Sequence, residues 1–271
     1  LNIVNSAAFA CRLCFGRRLE LYYRQGNAGQ FKYFKCADCG LVNLDLSAGL
    51  DQEQYTDEWI DPTDDGDRRN HDKDMTFEFI RRRLPAPGRL LDIGCGNGRL
   101  LHCAKRAGWD VKGIELSAET AARVSNVLDV PVVAAEFPQT TPAQEDLGRY
   151  DLVCLRHVLE HLPDSRLAMT RIREMLRPHG KALFEMPNIE AWDKRFKRWL
   201  VNRRLHERRY AADFVPGHCN EFSRRSFEFL ARETGFVLLR WETYSKKPLG
   251  NFVYNRLPVG NKARALVERT D

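Results

Sequence analysis

The sequence lacks any uninterrupted apolar run of 18 or more residues, so it offers no candidate membrane-spanning helix. It also lacks an internal repeat and any low-complexity tract, which removes repeat arrays and biased tails from consideration. The opening residues are too short and too polar to form a signal-peptide core, and the expected location is cytoplasmic. No large excess of one charge is present: 43 Lys and Arg against 37 Asp and Glu leave +6 over 271 residues. The charge is unevenly spread, with residues 51–74 acid-rich and 194–209 strongly basic. An apolar content of 43% is enough for a real core, in one large domain or in an ordinary one with an appendage.

One further absence bears on the central motif. Residues 89–101 read RLLDIGCGNGRLL, an apolar strand running into a glycine-rich turn and a helix. The dinucleotide fingerprint G-x-G-x-x-G would need a third glycine where Arg99 stands, so a pyrophosphate at the helix N-terminus is not predicted. What is present is D-x-G-x-G-x-G, from Asp92 to Gly98. Alternate glycines remove the Cβ atoms that would hold a ligand off the backbone, although a tight strand-to-helix turn alone would also explain them. A second strand, 110–115, ends in Glu115, 23 residues beyond Asp92. A carboxylate there can accept both hydroxyls of a ribose, or can be a plain surface glutamate.

From residue 88 onward strands and helices alternate, which predicts an α/β domain with a mostly parallel, doubly wound sheet. Its helices include one at 98–107 and one capped by Ser117 with Ala121, Val124, Val127 and Leu128 inward. Further strands are expected at 132–135, 150–155 and 181–186, then at 236–241 paired with 251–257. Glu136 and Phe137 fall at the end of the third strand, where ligands bind in open α/β sheets. An acid there can accept the adenine amino group and the ring can pack on adenine, or the glutamate can simply be solvated. Arg156 and His157 leave the fourth strand toward the same crevice.

The D-x-G-x-G-x-G turn resembles motif I of the class I S-adenosylmethionine-dependent methyltransferases. The segments 150–163 (YDLVCLRHVLEHLP) and 175–180 (MLRPHG) resemble the regions after strand four and before strand five of those enzymes, so the resemblance covers most of 88–188. It implies a Rossmann-like seven-stranded sheet, S-adenosylmethionine (SAM) as cofactor and methyl transfer as the reaction. In it Asp92 would face the methionine ammonium, and Gly94 and Gly96 would admit the methionyl chain. The implied cofactor-binding set is Asp92, Gly94, Cys95, Gly96, Asn97, Glu115, Leu116, Glu136, Phe137, Arg156 and His157. A helix carrying Met75, Phe79, Ile80 and Leu84 should cover one edge of the pocket. Tyr55 lies before it, in an acidic connection where such enzymes carry a tyrosine-containing lid, and is a further candidate; packing of the connection onto the body is the alternative. His157-x-x-Glu160-His161 formally matches an inverted zinc-protease motif, but it follows a parallel strand directly and shares a cofactor crevice that a peptidase would not need.

Cysteine is not scarce. Cys11-x-x-Cys14 and Cys36-x-x-Cys39, with 21 residues between the pairs, have the spacing of a closed four-thiolate zinc site. A zinc ribbon is therefore expected over 9–44, with Gly16 and Gly40 turning the knuckles and with structural Zn²⁺ rather than a catalytic metal. Cys95, Cys103, Cys154 and Cys219 lack such spacing and read as core thiols. The expected organisation is a ribbon at 1–48, a linker and lid helix at 49–87, and a methyltransferase domain at 88–271 with a basic insertion at 189–217.

That insertion interleaves Trp192, Phe196 and Trp199 with Lys194, Arg195, Lys197, Arg198, Arg203, Arg204, Arg208 and Arg209. A substrate lid, a face for an anionic membrane or nucleic acid, and a solvated helix pair all fit this pattern. The following segment, residues 218–223 (HCNEFS), resembles the H-x-x-x-F-S stretch of zinc-ribbon methyltransferases acting on sugars and small metabolites, whose loop overhangs the acceptor. Methyl transfer to oxygen requires loss of a proton, for which His161 and His218 are the candidate bases, hydrogen-bonded structural roles being the alternative. The favoured function is transfer to a small-molecule or glycan-linked acceptor, acidic or phosphorylated, by O-methylation. An RNA methyltransferase comes second, because one ribosomal RNA guanine methyltransferase family also joins a zinc module to this fold. The fourth ligand here is Cys39, not the histidine that family tends to use. A non-catalytic ribbon module on a cofactor-fold scaffold comes third, with Asp92, Gly94, Gly96 and Glu115 arguing against it.

Overall fold

In the computed structural model, residues 9–51, 59–203, 209–245 and 260–271 are described. The first strands are β1 (Leu19–Gln25), β2 (Phe31–Cys36) and β3 (Val42–Leu44). Then come α1 (His71–Arg83), β4 (Arg89–Ile93), α2 (Arg99–Arg106), β5 (Asp110–Glu115), α3 (Ala118–Leu128) and β6 (Val132–Ala134). They are followed by β7 (Tyr150–Arg156), α4 (Ser165–Met175), β8 (Leu176–Pro187), α5 (Trp192–Asn202), β9 (Asn220–Glu221), α6 (Arg224–Glu233), β10 (Phe236–Tyr244) and β11 (Lys262–Arg269).

Seven of these strands form one sheet in the order β10-β11-β8-β7-β4-β5-β6. The β6-β5-β4-β7-β8 part is parallel, and β11 is antiparallel to both β8 and β10. The expected Rossmann-like sheet is thus present. The antiparallel partner of β10 is Lys262–Arg269 rather than 251–257, which lies outside the described residues. Charge hid this strand: Lys262 and Arg264 are partly or wholly buried, and they stand in β11 because Asp72 and Glu185 meet them. Strand β8 begins earlier than the expected 181, with a register slip that takes Leu176 opposite Tyr150 and Lys181 opposite Leu152.

Alternation along the strands divides the core. Leu90, Leu152 and Cys154 face Phe79, Ile80, Leu100, Leu101, Val124 and Leu128 of α1, α2 and α3. Leu91, Ile93, Val153 and Leu155 face the opposite way, onto Met169 and Ile172 of α4 and Phe227 and Leu230 of α6. That second cluster continues without a break into Leu13, Leu19, Phe34 and Leu41 of the cysteine-bearing segment. The small sheet has the order β1-β2-β3-β9, so its fourth strand comes from the segment just before α6.

Candidate cofactor crevice and acceptor cluster

Strand order reverses at β4: the chain runs outward through β5 and β6, then returns to β7 on the other side. A crevice opens at such a switch point, beyond the carboxyl ends of the strands. The 94–98 turn after β4 and the 157–161 turn after β7 form its two lips. They touch: a Cβ on Gly94 would come within 2.5 Å of the Val158 side chain, and Gly94 has φ +69°. At Gly96, φ is +54°, and a Cβ would meet nothing within 4 Å. That open backbone is where a ligand can lie against the chain.

Around it, Gly96 N–H donates to Glu115 Oε2 at 2.9 Å, and Glu115 Oε1 accepts from Leu116 N at 2.9 Å and Ser117 N at 3.2 Å. The turn therefore holds the β5-terminal carboxylate with spare lone pairs beside the glycine backbone. Asp92 is 1% exposed, and its Oδ1 has no hydrogen-bond partner among the described residues. Burial pushes its carboxyl up to about 7, with Arg156 opposing and Glu115 and Glu185 adding to the rise. A buried acid left this way is suited to a cationic ligand group. Asn97 donates to Ile60 O at 3.0 Å and to Asn70 Oδ1 at 3.1 Å, while its own Oδ1 is a second orphaned acceptor. Arg99, which replaces the third fingerprint glycine, is buried and binds Asp74, Asp65 and Pro62 O. It pins the acidic connection over the helix N-terminus. These features, the open Gly96 and the orphaned Asp92 oxygen above all, fit the aminoacyl and ribosyl parts of SAM.

The other sequence candidates fall in distinct surroundings. The Cys95 thiol is buried beneath the turn, close to Gly113, and burial pushes its pKa up. Leu116 and Glu136 are exposed, and Phe137 packs against the core on the α4 side. Arg156 is held through its Nε, which donates to Glu185 Oε2 at 2.9 Å and to Thr76 Oγ1 at 3.2 Å, while its charge also acts on Asp92. Burial of Glu185 would raise its pKa, but Arg264 and Arg156 hold it down to about 2. Glu185 and Arg264 lie far apart in the chain and gave no local motif. Tyr55 lies outside the described residues.

Beyond β7 a polar cluster gathers. His157 Nδ1 lies 3.2 Å from Glu160 Oε1, and its Nε2 accepts from Lys262 Nζ at 3.1 Å, which also binds Asp72 Oδ2 at 2.9 Å. Because the Lys262 ammonium can only donate, Nε2 is the acceptor and Nδ1 the proton-bearing nitrogen of His157. His161 Nδ1 donates to Gly217 O at 2.9 Å, leaving Nε2 as its basic nitrogen. His161 and His218 meet edge to face at 4.7 Å between ring centres. Glu160 sits beside them, 1% exposed with Oε2 unpartnered among the described residues, and one ligand atom of each of Glu160, His161 and His218 lies within 4.8 Å of the others. Burial lowers the His161 pKa from its ordinary value. Burial would lower His218 too, but its hydrogen bond to Glu221 at 3.4 Å and the charge on that acid raise it instead. The sequence reading missed Glu221, Lys262 and Asp72. A signal existed for the first: His218-x-x-Glu221 repeats the spacing of His157-x-x-Glu160.

At the far end, the thiols of Cys11, Cys14, Cys36 and Cys39 converge within 4.8 Å of one another, and all four are free. Four sulfur ligands this close suit a tetrahedral site for a metal such as Zn²⁺. Gly40 takes φ +83° in the second knuckle. In the first the left-handed residue is Phe15, at φ +60°, and Gly16 is needed for space, since a Cβ there would come 2.4 Å from Asp38 Oδ2.

A family model described as a methyltransferase domain matches residues 65–240, from the acidic connection into β10. The chain belongs to this methyltransferase family. The chain is 30% identical over 131 residues to a ubiquinone biosynthesis O-methyltransferase of Ralstonia nicotianae, covering 46% of this chain and 55% of the relative. It is 28% identical over 164 residues to the enzyme of that name from Cronobacter sakazakii, covering 59% and 65%. The matches thus span about half to two-thirds of these relatives. Among solved structures, a SAM-dependent methyltransferase from Archaeoglobus fulgidus superposes with a TM-score of 0.53 at 17% identity, over 73% of this chain and 94% of the other. Magnesium protoporphyrin IX methyltransferase from Synechocystis, with bound S-adenosylhomocysteine, gives 0.53 at 14% identity over 74% and 84%. At such identities the likeness is one of fold. The family match leaves residues 9–64, and with them the four cysteines, outside its bounds.

Proposed function

We propose that this chain moves a methyl group from SAM to a hydroxyl of a small-molecule acceptor, with the four cysteines holding a structural Zn²⁺. The observation that carries the reading is the open Gly96 backbone set between the orphaned Asp92 carboxylate and Glu115. Asp92 would hold the cofactor's ammonium, Glu115 its ribose hydroxyls, and Gly94 and Gly96 the chain between; Glu136 and Phe137 are assigned to the adenine end. When bound, SAM supplies an activated methyl group, so the protein's task is alignment and removal of one proton. His161, whose burial keeps it neutral at neutral pH, is the base. His218, kept more basic by Glu221, lies against it and supplies positive charge for an acceptor oxyanion.

The names of the curated relatives support a small, oxygen-methylated acceptor. Helix α5 bears on its charge: Trp192, Phe196 and Trp199 are exposed on one stripe with Arg195, Lys197 and Arg203 also exposed around them. This face suits an acidic or phosphorylated acceptor, free or glycan-linked, or one presented at an anionic membrane surface. No described helix is long and apolar enough to cross a membrane. The test is transfer of a labelled methyl group from SAM into host extract separated into RNA, protein, lipid-glycan and small-molecule fractions. Label in the small-molecule or lipid-glycan fraction is expected. Label in RNA would replace this reading with the nucleic-acid one.

A further inference from the structure

The cysteine-bearing segment does not stand apart from the acceptor cluster. Strand β9 closes its sheet, with Val42 opposite Glu221 and Asn43 opposite Asn220, so His218 and Glu221 flank and occupy a strand of the ribbon. The link is made by Arg12, which lies between the two cysteines of the first knuckle. Its Nη1 donates to Leu44 O at 2.8 Å, its Nε to Asn220 Oδ1 at 3.2 Å, and its Nη2 to Cys219 O. Its own backbone N–H donates to Asn43 Oδ1 at 3.0 Å, and the fully buried Asn43 donates on to Leu41 O at 3.2 Å and Cys11 Sγ at 3.6 Å.

The two residues that Arg12 grips also carry the 160–162 turn. Cys219 N donates to Glu160 O at 3.0 Å, and Asn220 Nδ2 donates to Leu162 O at 2.7 Å. Tyr33 of β2 adds a bond from its hydroxyl to His218 O at 3.1 Å. An unbroken chain of hydrogen bonds therefore runs from the first knuckle through Arg12 to the backbone on both sides of the Glu160, His161 and His218 cluster. All three acceptors of the Arg12 side chain are uncharged oxygens. The guanidinium interacts with the charges of Cys11 and Asp45, would offset part of the negative charge of a metal-bound cysteine cluster, and its planar fork reaches three acceptors that a lysine could not span.

We propose that Arg12 is a positioning residue, which couples the metal-loaded knuckle to the acceptor cluster by fixing His218 opposite Glu160 and His161. The proposal rests on the functional reading above. It assigns the ribbon a part in building the acceptor site, without contact between Arg12 and substrate.

The experiment uses the full chain with its zinc, as wild type, Arg12→Ala and Tyr33→Phe. Zinc content, SAM affinity, amide exchange at Cys219 and Asn220, and the ring resonances of His161 and His218 are measured, with labelled-methyl transfer into host extract alongside. Arg12→Ala should keep its zinc and hold SAM affinity within about twofold, because the Arg12 side chain bonds Leu44, Cys219 and Asn220 and not Asp92, Gly96 or Glu115. Exchange at Cys219 should rise about tenfold or more, the His218 ring signals should move, and methyl transfer should fall. Added guanidinium ion should restore part of each. Tyr33→Phe should move the same signals by less, and it decides the matter if Arg12→Ala loses its metal. Unmoved His218 resonances and unchanged exchange in a zinc-loaded variant would overturn the proposal. Wild-type protein that binds neither zinc nor SAM would instead overturn the functional reading on which it rests.

Discussion

The two lips of the crevice are built in different ways. The β4 lip is made of backbone: Gly94 to Gly98 and the strand-end carboxylate Glu115 act through N–H groups and open space, and nearly all of it comes from one short stretch. The cluster beyond β7 is made of side chains from far-separated elements, with Asp72 from α1, Glu160 and His161 from the turn, His218 just before β9 and Glu221 within it, and Lys262 from β11. A site made of backbone needs only a particular local conformation. A site made of side chains needs the whole fold in register. The first should therefore fail by local strain and the second by loss of individual groups.

That contrast can be broken or sharpened by substitution. The largest effect is expected at His161→Ala, which should lower methyl transfer by about 10²- to 10⁴-fold, the usual worth of a general base, while SAM still binds. Transfer by the wild type should rise with pH as His161 loses its proton, with a midpoint below the ordinary histidine pKa, because burial favours its neutral form. An unchanged rate in the variant would remove His161 from the mechanism. Next comes Gly94→Val. The side chain would meet Val158 at a backbone angle that L-residues avoid, and SAM affinity measured by titration should fall about 100-fold or more.

Asp92→Asn gives a smaller effect of mixed sign. SAM affinity should drop about tenfold through loss of a charge-assisted contact, yet the ligand-free protein should become more stable. The folded-state pKa, near 7, lies above that of the unfolded acid, so ionised Asp92 destabilises the fold at high pH. The penalty is absent below the unfolded value, grows as pH rises, and is complete above about 7. Thermal melts should show the asparagine variant gaining roughly 1–4 kcal/mol at pH 8 and almost nothing at pH 4. No gain at pH 8 would mean that Asp92 is solvated. The smallest effect is Glu221→Gln: loss of its hydrogen bond and charge should lower the His218 pKa, read by histidine ring titration, with SAM binding unaltered.

The same contrast explains what could be read from the sequence. The turn at 92–98, Glu115, the paired cysteines and the alternating strands were legible because each is written in adjacent residues or fixed spacings. Arg156 was expected in the crevice from its position at the end of the fourth strand, but its partners Glu185 and Thr76 could not be foreseen, because their meeting depends on β8 and α1 lying beside one another. Strand β11 was missed because its charged residues are paired inside the fold, which makes a central strand look like a surface. Strand β9 carries no strand signature at two residues; β3 and Arg12 hold it in place. Long-range partners rather than local propensity decided these cases.

The most direct test is calorimetric titration of SAM into the wild-type chain and Gly94→Val. The account predicts saturable binding by the wild type and its loss in the variant, with both still folded. Equal binding by the two, or none by a folded wild type, would contradict it.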